Sequence, residues 1–171
     1  MPGSVPGNPS RAEAPLVRQA TLADAPVIAQ FNRAMARETE GKGLLPHVIG
    51  AGVQRLLEDA SLGFYVVAEH GDEIVGALLV TQEWSDWRNG RFWWIQSVYV
   101  TAPWRRRGVY RDLYAFVRRS AQDDPNVCGF RLYVEKDNVV AQQTYESLGM
   151  VQTDYKIYEE LKPGVVYLKK D

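Results

Sequence analysis

Val100-Thr101-Ala102-Pro103-Trp104-Arg105-Arg106-Arg107-Gly108-Val109-Tyr110 joins a β-patterned run to a helical one through a basic loop that contains glycine. Upstream, Arg91 to Val100 is dense in aromatic and β-branched residues, which favour strands. Downstream, Tyr110, Leu113, Tyr114 and Val117 recur at helical spacing and predict a helix over Val109–Gln122 with one buried face. The first amide N–H groups of a helix have no partner inside it, and the helix dipole favours negative charge there. Strand end, Gly108 loop and helix start together predict an anion site with a phosphate as its natural occupant. Arg105, Arg106 and Arg107 would steer or clamp that phosphate. The alternative is a solvated basic turn.

Outward from this loop the pattern alternates between strand and helix. Leu16–Ala20 reads as a short strand, and Thr21 with Asp24 three positions later resembles a helix cap. Ile28, Phe31 and Met35 then share one helical face, and a second helix follows over His47–Asp59. Gly63–Glu69 and Glu73–Trp84 are strand runs separated by His70-Gly71-Asp72, a turn sequence, so they predict an antiparallel hairpin. A turn over Ser85–Gly90 adds Arg91–Val100 as a third strand. After the Val109–Gln122 helix, Val127–Val134 reads as a strand that should lie parallel to Arg91–Val100 through a right-handed crossover. A helix over Val139–Leu148 is capped by Asn138 and stopped by Gly149, and last strands are expected at Val151–Tyr158 and Val165–Lys169.

The 171 residues suit a single domain over 15–171, with a core that needs neither disulfide nor metal. Met1–Ala14 holds three prolines, two glycines and two serines, lacks the basic start and apolar centre of a secretory signal, and predicts a disordered tail. Lys plus Arg number 20 against 21 Asp plus Glu, so the chain offers no net field to nucleic acid or an anionic membrane. No run approaches a membrane span. One cysteine, Cys128, fits a reducing, cytoplasmic setting and sits in an apolar stretch where a buried, inert thiol is expected. His47 and His70 make no metal-ligand spacing, and no Gly-x-Ser-x-Gly elbow occurs. A homodimer is the default oligomer.

Arg105-Arg106-Arg107-Gly108-Val109-Tyr110 resembles the acetyl-CoA loop of the GNAT acyltransferases, Gln/Arg-x-x-Gly-x-Gly/Ala, except that Tyr110 replaces the small last residue. A second block is similar too: Leu132-Tyr-Val-Glu-Lys-Asp-Asn138, Ala141 and Tyr145-Glu-Ser-Leu-Gly-Met150 match that family's strand, asparagine, helix and tyrosine. The resemblance implies an α/β (α+β) fold: a mixed, largely antiparallel central sheet of about six or seven strands, flanked by about four helices, with a parallel strand pair splayed at the CoA site. It implies that Val98, Tyr99 and Val100 lie along the pantetheine arm. The amides from Arg106 through Arg107, Gly108 and Val109 to Tyr110 would hold the pyrophosphate, and Asn138 would contact the cofactor. Tyr145 would donate a proton to, or hydrogen-bond, the departing CoA thiolate, as a neutral phenol can; the plain alternative is an aromatic in the helix core.

The implied activity is transfer of an acetyl group from acetyl-CoA to a primary amine, directly and without metal. A noncatalytic CoA-binding module is the other reading. An alkylammonium with a pKa of about 10 must lose a proton before it attacks a thioester, so a base or water relay is needed. Gln96 cannot titrate. Glu83 and Asp86 are the first candidates, with Glu38 and Glu40 behind them; each can equally be a solvated carboxylate. Trp84, Trp87, Trp93 and Trp94 cluster nearby, with alternation sending Trp93 and Trp94 to opposite faces. One of them could line a pocket for a cationic amine.

Overall fold

The computed structural model describes residues 14–169. The tail expected over Met1–Ala14 lies, except for Ala14, outside the described residues. In chain order the elements are β1 (Leu16–Gln19), α1 (Ala25–Glu40), α2 (Pro46–Glu58), β2 (Phe64–His70), β3 (Glu73–Ser85), β4 (Gly90–Val100), α3 (Val109–Gln122), β5 (Val127–Arg131) and α4 (Val139–Ser147). The strands form one sheet in the order β1-β2-β3-β4-β5. The first four pair antiparallel, and β5 lies parallel to β4. Among the described residues no helix is long and apolar enough to cross a membrane.

The apolar run of β3 from Ile74 to Val80 follows from burial on both sheet faces, which removes the usual polar alternation. On one face Ala77 and Leu79 join Tyr65 and Val67 under α1 and α2, where Ile28, Phe31 and Val53 complete the layer. On the other, Leu78 and Val80 join Val66, Ala68, Trp93 and Ile95 under Val109, Leu113, Tyr114 and Val117 of α3. Gly76 sets how closely α3 approaches, because a Cβ there would lie 3.0 Å from Val109 Cγ1 and 3.3 Å from the Tyr99 carbonyl oxygen. The amino end of α3 is thereby held against the end of β4.

Three differences from the sequence expectation stand out. Neither Val151–Tyr158 nor Val165–Lys169 forms a strand, so the sheet has five strands rather than six or seven. An alternating sequence favours extended backbone, but a strand also needs ladder bonds to a neighbour, and residues 151–158 make none. Here Leu168 meets Leu44 in an isolated bridge instead. The strand expected over Val127–Val134 stops at Arg131. Cys128 is exposed rather than buried, because β5 is the last strand of the sheet.

Arg18 ties the first strand to the entrance of α1. Its guanidinium donates to both oxygens of Asp24, at 2.8 and 3.0 Å, and to Glu69 at 2.7 Å. Asp24 is buried and also accepts from the Thr21 amide at 2.7 Å, in the capping arrangement expected from the sequence. Arg18 holds the Asp24 carboxyl below the usual carboxylate range, against the opposing effect of burial. A depressed carboxyl pKa contributes stability above its unfolded value of about 3.9 and loses it as pH falls through the folded value. Asp24→Asn should therefore cost about 1.5–3 kcal/mol in urea unfolding at pH 7, the range for a hydrogen bond to a charged group. The gap from wild type should shrink once the pH falls below about 4; a gap that stays constant with pH would show that the charge on Asp24 contributes nothing.

Candidate functional site

The ladder between β4 and β5 runs from Arg91–Val127 to Trp94–Arg131 and then stops. From Ile95 to Val100, β4 has β3 on one side and an open edge on the other. A bulge lies within this stretch: Leu79 pairs with Gln96 and Ala77 with Tyr99, so β4 carries one extra residue there. Ser97 adopts φ 49°, a left-handed conformation uncommon for a residue with a side chain. Bulges bend the strand that contains them, which is how β4 turns away from β5.

Beyond Val100 comes a single 3₁₀ turn, Ala102–Trp104, and then the basic loop. Arg106 (φ 63°) and Gly108 (φ 83°) are both left-handed and rotate the loop backbone toward the helix start. Asp112 is the first α3 residue whose amide reaches the helix ladder, donating to the Gly108 carbonyl at 3.0 Å. The amides of Val109, Tyr110 and Arg111 form the unpaired first turn. At Gly108 a Cβ would fall 2.8 Å from Arg111 Nη2, a flexible side-chain end, so the positive φ is the firmer reason for glycine.

The three arginines do not act as one set. Arg105 donates through Nε to the Val100 carbonyl at 2.9 Å and through Nη2 to Glu38 at 2.6 Å. Arg107 stacks over Trp104, 5.3 Å from the ring centre. Tyr110 turns its ring inward, stacked on Tyr114 at 6.2 Å and edge-on to Tyr145 at 5.6 Å. The residue that departs from the family pattern thus points its bulk away from the loop. Its hydroxyl is buried without a hydrogen-bond partner, and burial, followed by Tyr145 and Tyr114, pushes its pKa up. Burial likewise raises Tyr145, which stays a neutral phenol at pH 7. Asn138 caps α4, its side-chain oxygen accepting from the Ala141 amide at 3.2 Å.

The candidate acids are placed very differently. Glu38, at the end of α1, accepts from Tyr99 Oη at 2.9 Å as well as from Arg105, and these partners hold its carboxyl below the usual range. It lines a cavity of about 220 Å³ with Met35, Thr39, Val98, Tyr99, Val100 and Arg105. Glu40 pairs with Lys42 on the surface. Glu83 accepts from the Trp94 indole N–H and, through its other oxygen, from Arg131 at 2.8 Å, where the parallel ladder ends. Each of its oxygens keeps a second lone pair, but both are already engaged by these donors. Arg131 also lies 3.8 Å over the Phe92 ring, and Trp94 packs near Tyr133. Asp86 sits in the β3–β4 turn and accepts from the Trp87 amide. At roughly 3.3 Å per residue, that turn is about 25 Å along the strand from Val98, so Asp86 is not brought to the loop. Alternation does separate Trp93, buried beneath α3, from Trp94, which stays partly exposed. Trp84 and Trp87 are exposed.

Sequence reading missed Ser97 and Arg131. A left-handed serine inside a β-branched run gives no local signal, and Arg131 takes its place beside a carboxylate 48 positions away.

The profile of the Acetyltransferase (GNAT) family matches residues 28–150. The chain belongs to that family. Among solved structures, a possible acetyltransferase from Clostridium difficile 630 is 45% identical, with a TM-score of 0.81 over 88% of this chain and 99% of that one. An aminoglycoside acetyltransferase from an uncultured soil metagenomic sample, in complex with sisomicin, shares the fold at 17% identity, with a TM-score of 0.71 over 86% of this chain and 96% of that one. Aminoglycoside N-acetyltransferase AAC(6')-Iy in complex with CoA does so at 15% identity, with a TM-score of 0.70 over 93% and 99%. No curated protein sequence matches the chain. As a GNAT protein the chain is an acyltransferase enzyme, and its mixed sheet with a parallel pair that separates is the fold implied by the sequence resemblance.

The left-handed serine supplies a direct test of the bulge. Ser97→Val should cost about 1 kcal/mol in urea unfolding, because the β-branch adds crowding to the penalty that serine already carries in that conformation. Ser97→Gly should be close to neutral, relief of strain being offset by a more flexible unfolded chain. Equal stability for valine and serine would remove the bulge as a constraint.

Proposed function

We propose that the enzyme transfers an acetyl group from acetyl-CoA to a primary amine of a small molecule or peptide, by direct attack within a ternary complex. The observation that carries this reading is the open edge of β4 leading straight onto the unpaired amides of α3. An extended arm bearing amide groups can add to a free strand edge, as peptides do to sheets. At its end, the turned amides of Arg106 to Tyr110 offer a pyrophosphate the donors it needs. The spacing suits a ligand with an amide-rich arm and phosphates at one end, which is the chemistry of acetyl-CoA. Val98, Tyr99 and Val100 would line the arm, and Arg106, Arg107, Gly108, Val109 and Tyr110 the phosphates. The Asn138 side-chain amide N–H₂ remains available for a cofactor contact, because capping uses only its oxygen.

Acetyl-CoA supplies an activated acyl carbon and a sulfur leaving group. In the transfer the amine nitrogen bonds to that carbon, the carbon–sulfur bond breaks, one proton leaves the amine and one arrives at sulfur. Tyr145 is suited to the second proton transfer, since burial keeps its hydroxyl protonated. On the acceptor side, two carboxylates can attract an ammonium: Glu38 beside Val98–Val100, and Glu83 with Trp94, which adds an aromatic face. Glu38 is ionised at neutral pH and is therefore better suited to holding the cation than to taking its proton; water can carry the proton away. A cytoplasmic setting, consistent with a single cysteine, is part of the same proposal.

Release of free CoA from acetyl-CoA across a panel of amines tests the reaction and the acceptor class together; no release with any amine would contradict it. Gly108→Val should abolish the thermal stabilisation that wild type gains from CoA, which is about 2.7 kcal/mol at a hundredfold excess over the dissociation constant. Tyr145→Phe should retain CoA affinity and lose about 10²-fold in single-turnover acetyl transfer, the lower end for a positioned acid, because a thiolate leaves fairly well unaided. Wild-type single-turnover rates in the phenylalanine variant would reduce Tyr145 to a packing residue.

A further inference from the structure

Where β4 and β5 part, one cluster of side chains links three strands. Glu83 of β3 stands opposite Phe92 of β4, and its carboxylate accepts from the Trp94 indole N–H and, at 2.8 Å, from Arg131 of β5. Leu79 and Glu83 lie four positions apart in β3, so the cluster occupies the sheet face that α1 and α2 cover further along. Solvent reaches it: the Glu83 side chain is 42% exposed and that of Arg131 30%.

Two guanidiniums converge on one ring in this cluster. Arg131 lies 3.8 Å and Arg88 5.0 Å from the centre of Phe92. Glu83 offsets the charge of Arg131. Arg88 pairs with no carboxylate among the described residues, and its bond to Ser85 Oγ is long at 3.5 Å. Asp86, two positions before it, turns to the Trp87 amide instead. One carboxylate and two guanidiniums leave the cluster positive, a poor match for a polycationic amine and a good one for a ligand that carries an anion. Arg88 and the unused N–H groups of Arg131 are donors suited to a carboxylate. Opposite charges also stand side by side here, as they do in an α-amino acid, so a zwitterion can lie across the Glu83–Arg131 pair with each of its charges facing the opposite one. Beside the pair, the Trp94 and Tyr133 rings, 6.0 Å apart, offer an apolar surface to a side chain.

We propose that the acceptor is a free α-amino acid with an apolar or aromatic side chain, its carboxylate held by Arg88 and Arg131 and its amine by Glu83 at the fork. Arg88 is then a residue that determines specificity. The assignment rests on the acetyl-transfer reading: with phosphates at the start of α3 and the arm along Val98–Val100, the thioester end of acetyl-CoA points back toward Trp94. The products are an N-acetyl amino acid and CoA. The ammonium loses two protons, one to water and one that ends on sulfur, as the carbon–nitrogen bond forms and the carbon–sulfur bond breaks.

CoA release from acetyl-CoA should be compared for L-phenylalanine, for phenethylamine, which lacks only the carboxylate, and for spermidine as a polycation. Wild type should favour L-phenylalanine over phenethylamine by at least about 10-fold in kcat/KM, because a site built to bind the carboxylate is left unpaired without it. Arg88→Gln should raise KM for L-phenylalanine about 10-fold with kcat little changed, and leave phenethylamine unaffected. Calorimetric titration of L-phenylalanine into CoA-saturated protein reads the same contact without turnover, and there too Arg88→Gln should weaken binding about 10-fold. Release of CoA with phenethylamine or spermidine but not with L-phenylalanine would overturn the amino-acid assignment and leave acetyl transfer standing. An Arg88→Gln enzyme with unchanged KM and unchanged L-phenylalanine binding would overturn it as well. No CoA release with any amine, together with no binding of CoA, would overturn both the assignment and the transfer reading beneath it.

Discussion

The parting of β4 from β5 after Trp94 and Arg131 is the feature on which the rest of the site depends. Up to that pair the two strands share a ladder; beyond it β4 continues for six residues with a bare edge, held in the sheet by β3 alone. Closing the gap with ordinary ladder bonds would leave no room for a ligand between the strands. The bulge at Ser97 and the burial of Trp93 and Ile95 beneath α3 keep it open from opposite sides, one by bending the strand and the other by fixing it. Gly76 then sets α3 close enough for its first turn to face the opening.

The same layering explains why the proposed chemistry is divided between two elements. The loop after β4 supplies backbone donors, while α4 brings Tyr145 against Tyr110 at the base of α3. Packing among Tyr110, Tyr114 and Tyr145 couples the proposed phosphate loop to the proposed proton donor, which gives the large residue at position 110 a structural role. Arg105 has a comparable linking role. By bridging Val100 and Glu38, it fastens the end of α1 to the end of β4 and shapes one side of the cavity there.

Local pattern was enough to read what local forces determine. The α3 boundaries, the hairpin at Gly71, the cap at Asn138 and the opposite faces of Trp93 and Trp94 all follow from residues within a few positions of one another. Contacts across the chain were not legible in this way. The three arginines look equivalent in sequence, yet Arg105 is committed to a carboxylate 67 positions away. Glu83 and Asp86 look interchangeable, yet strand register carries one to Trp94 and Arg131 and leaves the other in the distant turn. The alternating residues after Met150 predict a strand, yet the segment joins no edge of the sheet. Pairing is a property of the sheet, not of the segment.

Hydrogen–deuterium exchange with and without acetyl-CoA tests most directly whether the parted strands and the α3 amino terminus form the acyl-CoA site. Binding should slow exchange at the amides of Val98 to Val100 and of Arg106 to Arg111, while the paired strands β1 and β2 change little. Protection confined to other surfaces, or bound acetyl-CoA with unchanged exchange from Val98 to Arg111, would contradict the account.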